Sequence, residues 1–115
     1  MKTIKYILLG LFAIFTINTF AQNQTNNASI KTTTFKVSGV CELCQAAIEK
    51  AAISAGVTKA GWNQTTKILS ISYNPSKVKV EDVQKSIAAA GYDNGKFKAT
   101  QKSYDSLPAC CKYER

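Results

Sequence analysis

The sequence predicts a single α+β domain in which strand, helix, strand, strand, helix and strand follow one another. Three observations carry this reading. Apolar and polar residues alternate in the strand segments, apolar residues recur at spacings of three and four in two Pro-free segments, and a glycine stands just past each helical run.

The elements follow in order. Thr34, Phe35, Lys36 and Val37 alternate polar and apolar, as a half-buried strand does, and Ser38-Gly39 ends it. Gln45 to Ala55 is rich in Ala, lacks Pro and Gly, and sets Ile48, Ala51 or Ala52, and Ala55 on one helical face. Gly56 follows where a left-handed cap is expected. Val57 to Asn63 reads as a second strand with Ala60 and Trp62 on one side, and Gln64 to Lys67 as a turn. Ile68 to Tyr73 is the third strand: Leu69, Ile71 and Tyr73 face one way, Ser70 and Ser72 the other, and Asn74-Pro75 closes it. The second helix covers Val80 to Ala90, with Val80, Val83, Ile87 and Ala90 in register and Glu81 and Asp82 in the first turn, where the dipole favours negative charge. Asn94 to Ala99 reads as a short fourth strand, weakened by Gly95 and its lysines. The order βαββαβ predicts a ferredoxin-like sandwich, with two helices on one face of an antiparallel sheet and a short C-terminal extension.

The ends of the chain are of a different kind. Lys2 and Lys5 precede an apolar run from Ile7 to Ile17, and Thr19-Phe20-Ala21 carries small residues before Gln22. That order reads as a signal peptide over residues 1–21. Its apolar core is shorter than the roughly 20 residues a membrane span needs, so no stable membrane anchor is expected after cleavage. A polar leader is expected over 22–32, the domain over 33–99 and a cysteine-bearing tail over 100–115. The chain is then periplasmic or secreted. Its formal charge is +8, and +6 once Lys2 and Lys5 are removed. The basic residues are spread along the sequence, so nucleic-acid binding is not expected, and an acidic partner surface is the natural complement. There is no histidine. That excludes mixed His/Cys zinc sites and the Ser-His-Asp and Cys-His catalytic arrangements.

Cys41, Cys44, Cys110 and Cys111 remain in the exported chain. Disulfides are the first expectation for them in an oxidising compartment. Cys41-Glu42-Leu43-Cys44 falls between a predicted strand and the start of a predicted helix. The spacing lets two sulfurs converge on one ion, and unpaired amides at a helix N-terminus stabilise thiolates. Thiolates match a soft ion, Cu(I) first, with Hg(II) and Zn(II) also suited.

Val37-Ser38-Gly39-Val40-Cys41-Glu42-Leu43-Cys44 resembles the heavy-metal-associated domain of copper chaperones, mercury-binding periplasmic proteins and metal-pumping ATPases. The similarity runs on through Ile48-Glu49-Lys50-Ala51, Gly56-Val57, Ala60, Asn63, Thr65, Ile71, Tyr73 and Pro75 to Ala90-Gly91-Tyr92-Asp93. It implies a metal-binding or metal-carrying protein, not an enzyme, with Cys41 and Cys44 as ligands. Release would proceed by ligand exchange with the thiolates of a partner, an acidic metal-transporting ATPase or another metal carrier. The family usually carries Gly-Met-x-Cys-x-x-Cys, its methionine packing under the metal loop; here Gly39-Val40-Cys41 is one residue shorter and has no methionine. Ala52 replaces a larger aliphatic residue and Trp62 a small β-branched one, an exchange in which Trp62 fills the space left by Ala52. Tyr92 matches the family's aromatic near the metal loop, as a shield for the ion or as a core-edge aromatic.

Leu107-Pro108-Ala109-Cys110-Cys111-Lys112-Tyr113 resembles the tail of short exported bacterial proteins that join this domain to a Cys-Cys ending. Adjacent Cα atoms lie about 3.8 Å apart and a disulfide usually needs about 4.4–6.8 Å, so a bridge between Cys110 and Cys111 is strained. Three arrangements stay open: a third ligand for the Cys41 and Cys44 site, a disulfide to one of them, or a pair of thiols that picks up metal and passes it inward. About ten residues precede Cys110 after the last predicted strand, enough at roughly 3.3 Å each to cross a small domain, with Leu107 as anchor. The competing function is a periplasmic thiol–disulfide oxidoreductase attacking through Cys41. Against it, Val40 stands where a thioredoxin-type site has tryptophan, and Pro75 and Pro108 are poorly placed for its cis-proline.

Overall fold

The computed structural model describes residues 30–115. The expected signal peptide, and the expected leader up to Ala28-Ser29, lie outside the described residues. Strand β1 (Lys31–Lys36) and strand β2 (Lys59–Trp62) flank a central β3 (Ile68–Tyr73), giving the order β1-β3-β2 with both pairings antiparallel. Phe35 and Trp62 both sit opposite Leu69, and Thr33 and Ala60 opposite Ile71. The side-chain alternation of β3 fixes this register: a slip of one residue would turn Leu69, Ile71 and Tyr73 out to solvent. All three are buried, and Ser70 between them is exposed.

Helices α1 (Glu42–Ser54) and α2 (Val80–Ala89) cover the buried face. The first contributes Cys44, Ile48 and Ala52 to the core, the second Val83, Ile87 and Ala88. The Ser86 hydroxyl donates to the Ala51 carbonyl at 3.1 Å and ties the helices together. Helix α1 starts at Glu42 rather than Gln45, because the Gln45 amide already donates to Cys41 at 3.0 Å. The first helical turn thus takes in most of the cysteine loop.

The expected fourth strand is reduced to bridges. Asn94 pairs with Val37 on one side and with Phe97 on the other. Gly95 adopts a φ of 56°, and Asn94 and Phe97 exchange N–H···O bonds of 2.9 Å. The chain therefore doubles back in a tight turn instead of running along β1. The Asn94 amide group holds that turn to the Gln84 and Tyr92 carbonyls at 3.0 and 3.1 Å.

The tail folds onto the domain. Thr100 caps α3 (Gln101–Asp105), its hydroxyl accepting from the Ser103 amide at 3.1 Å. A 3-10 turn follows at Ala109–Cys111. Leu107, Cys111 and Tyr113 all join the core formed by the helices and sheet. Gly91, at φ 109°, lets Leu107 approach: a Cβ there would lie 2.7 Å from a Leu107 methyl. Among the described residues no helix is long and apolar enough to cross a membrane.

Candidate metal centre

Cys41 occupies the N-cap of α1 in extended backbone geometry, and Cys44 lies in the first turn on its buried side. Their sulfurs are 3.8 Å apart. The cap position places the Cys41 sulfur at the positive end of α1, although no side-chain capping bond is formed. The Cys44 amide does most to lower the Cys41 thiol pKa, helped by the Cys110 thiol and the Leu43 amide; partial burial and the Glu42 charge oppose it, and the net shift is downward.

The third sulfur comes from the tail. Cys111 is fully buried against Cys44, also fully buried, and the two are joined as a disulfide with Cα atoms 5.7 Å apart. The sulfurs of Cys41, Cys44 and Cys111 all lie within 4.8 Å of one another. Cys110 is exposed and stays outside this cluster; its carbonyl accepts from the Cys41 thiol at 3.5 Å. Its own thiol pKa is raised, first by its hydrogen bond to Cys41. Of the three arrangements open for the tail, the structure holds the disulfide to Cys44. The same fold-back brings both tail cysteines to the loop, but only Cys111 joins the sulfur cluster.

Beneath the loop lies Trp62. Its indole N–H donates to the Val37 carbonyl at 3.0 Å, and its ring lies so close under Gly39 that a Cβ there would be 2.9 Å from two ring atoms. The Trp62 amide donates to Glu49 at 2.9 Å. Trp62 thus supports the shortened loop from below.

The profile of the heavy-metal-associated domain matches residues 34–93, just over half of the chain. The chain belongs to the heavy-metal-associated domain family. Its fold is similar to that of CopZ metallochaperone, with 31% identity and a TM-score of 0.54 over 56% of this chain and 100% of that one. Oxidized MerP from Ralstonia metallidurans CH34 gives 26% identity and a TM-score of 0.55 over 58% of this chain and 96% of that one. A copper binding domain from HMA7, a P-type ATPase, gives 26% and 0.54 over 56% and 89%. No curated protein matches the chain.

The family match ends at Asp93, and the residues beyond it form a clamp that the sequence reading missed. The Tyr113 hydroxyl donates to the Gly91 carbonyl at 2.7 Å and accepts from the Asp93 amide at 3.0 Å. The Asp93 carboxylate accepts from the Ala99 amide at 2.7 Å and from Nε and Nη2 of Arg115 at 3.1 and 3.0 Å. Arg115 also donates to the Ala99 carbonyl at 2.8 Å and stacks 4.7 Å over the Tyr104 ring. Tyr92 is buried, stacks on Tyr113 with centroids 6.3 Å apart, and forms one wall of a groove of about 340 Å³ shared with Leu43, Pro108 and Cys111. Burial chiefly, then the nearby charges of Cys41 and Cys110, raise the Tyr92 hydroxyl pKa. Tyr92 is thus a core-edge aromatic that borders the buried Cys111. The one signal for the clamp in the sequence is the density of Tyr104, Leu107 and Tyr113 in an otherwise polar tail.

Proposed function

We propose that this protein carries or buffers a soft metal ion, Cu(I) first among the candidates, outside the cytoplasm. The ligands are Cys41 and Cys44, with Cys111 as the third when all are reduced. One observation carries the reading: three cysteine sulfurs within 4.8 Å of one another at a helix N-terminus, in a domain of the heavy-metal-associated family. Three soft ligands around one ion suit Cu(I), and the lack of histidine removes the borderline ligand that Zn(II) often takes. Similarity to a metallochaperone and to a copper binding domain of a P-type ATPase supports transfer of the ion to such a partner by ligand exchange. The formal charge of +6 left once Lys2 and Lys5 are removed favours an acidic docking surface on that partner. The location outside the cytoplasm rests on the signal-like order of residues 1–21. In the oxidised chain Cys44 pairs with Cys111 and not with Cys41. The resting bond is therefore not the Cys-x-x-Cys disulfide of a thioredoxin-type oxidoreductase.

The test is competition for Cu(I) against a chromophoric chelator with the reduced protein. Cys41→Ser and Cys44→Ser should each weaken binding by orders of magnitude, because a hydroxyl is a hard and poor ligand for Cu(I). Wild-type affinity in the double variant would refute the site.

A further inference from the structure

Oxidation poses a problem that the cluster itself answers. The Cys44–Cys111 bond takes up two of the three sulfurs, and both residues are 0% exposed. An external reductant must touch sulfur to attack it. The thiols at the surface are Cys41, half-buried, and Cys110, exposed. Cys41 is 3.8 Å from the Cys44 sulfur and lies beside the disulfide. Attack by Cys110 on the Cys111 sulfur is disfavoured, because it would make a vicinal disulfide, which is strained.

We infer that the cluster has a second activity, thiol–disulfide exchange: Cys41 relays the buried Cys44–Cys111 disulfide to the surface, where a dithiol reductant opens it. In the first step the Cys41 thiol gives its proton to solvent and its sulfur turns into line with the Cys44–Cys111 bond. A Cys41–Cys44 bond forms, the Cys44–Cys111 bond breaks, and the electron pair leaves on Cys111 as thiolate. No electrons enter or leave the protein. In the second step one thiol of the external dithiol attacks the Cys41 sulfur, forming a mixed disulfide and releasing Cys44. Its second thiol then closes the reductant's own disulfide and releases Cys41. The dithiol loses two electrons and two protons, and the protein gains them as two thiols. The product is the three-thiol cluster. Its use in metal uptake rests on the proposed function; the exchange does not.

The experiment uses oxidised, chelator-treated full chain and dithiothreitol, with acid quenching, alkylation and peptide mass mapping. Loss of the Cys44–Cys111 bond should be at least about tenfold slower in Cys41→Ser, and within about twofold of wild type in Cys110→Ser. Partly reduced wild type should contain a species with Cys41 and Cys44 linked and Cys111 alkylated. That second readout stands even where Cys41→Ser fails to form the native bond. Equal rates in wild type and Cys41→Ser would overturn the relay, since attack would then be direct, through the groove beside Leu43 and Pro108. Simultaneous appearance of Cys44 and Cys111 thiols in wild type, with no Cys41–Cys44 species, would overturn it too. Exchange in a protein that binds no Cu(I) when fully reduced would uphold the relay and refute the metal reading.

Discussion

If Arg115 holds the tail against the domain, its removal should expose Cys111 without unfolding the rest. Arg115→Ala deletes the two bonds from the guanidinium to Asp93 and the one to the Ala99 carbonyl. The Asp93 carboxylate stays in its buried place with the Ala99 amide as its remaining hydrogen-bond donor. A charge-assisted hydrogen bond contributes about 1.5–3 kcal/mol net when shielded and far less when exposed. The Arg115 side chain is 24% exposed and that of Asp93 10%, so solvent recovers much of the loss and about 2 kcal/mol is the expected cost. That raises the population with an undocked tail by about 30-fold. The assay is alkylation of the reduced, metal-free protein, followed at each cysteine by mass spectrometry. Cys111 is 0% exposed and reacts only from the undocked state, so its rate should rise by about 30-fold. Cys110 is exposed in both states and should change by less than about twofold. An unchanged Cys111 rate would refute the clamp. A matching loss of helical circular dichroism would mean general unfolding and would refute the local account as well.

The clamp also sets an acid limit: burial raises the Asp93 pKa, the Ala99 amide and the Arg115 guanidinium outweigh it, and the net shift is downward. A carboxyl depressed below its unfolded value of about 3.9 adds stability above that pH and loses it as pH falls through the folded value. The denaturant midpoint should therefore drop below about pH 4 in wild type and show a shallower drop in Asp93→Asn. X-ray absorption of the Cu(I)-loaded protein should show three sulfur neighbours in wild type and in Cys110→Ser, but two in Cys111→Ser, following the cluster of Cys41, Cys44 and Cys111. Three sulfurs in Cys111→Ser would mean that Cys110 substitutes for it. Gly39→Ala should cost about 1–3 kcal/mol of stability by driving a Cβ into the Trp62 ring, and Trp62→Ala about 3–5 kcal/mol by emptying the space under the loop. Chemical denaturation checks both, and a neutral Gly39→Ala would show that the loop rides freely over the ring.

What the sequence made legible follows from how local the determinant is. The strand Ile68–Tyr73 is given by its own alternation, and the structure keeps those limits. Helix α1 begins three residues before the start its periodicity predicts, because Glu42 and Leu43 are exposed and carry no apolar period. The last strand failed on one residue, Gly95, whose positive φ turns the chain back after the single bridge from Asn94 to Val37, just past β1. The pairing of Asp93 with Arg115, 22 residues apart, has no periodic signature at all. The choice between Cys110 and Cys111 is a different case, because a local signal was present. From Cys110 to Glu114 the burial runs exposed, buried, exposed, buried, exposed. Lys112, just past the 3-10 turn, is extended, which puts Cys111 and Tyr113 on one side and Cys110 and Lys112 on the other. Lys112 is costly to bury and Tyr113 is not, so the side that faces the domain is the one carrying Cys111. Tyr113 then fixes that choice with its bonds to Gly91 and Asp93, at the end of α2 and beside the cysteine loop. The tail thus selects the cysteine it buries by the residue two places after it, and a Tyr113→Ala change should speed alkylation of Cys111 in the reduced protein while leaving the Cys41 and Cys44 pair in place.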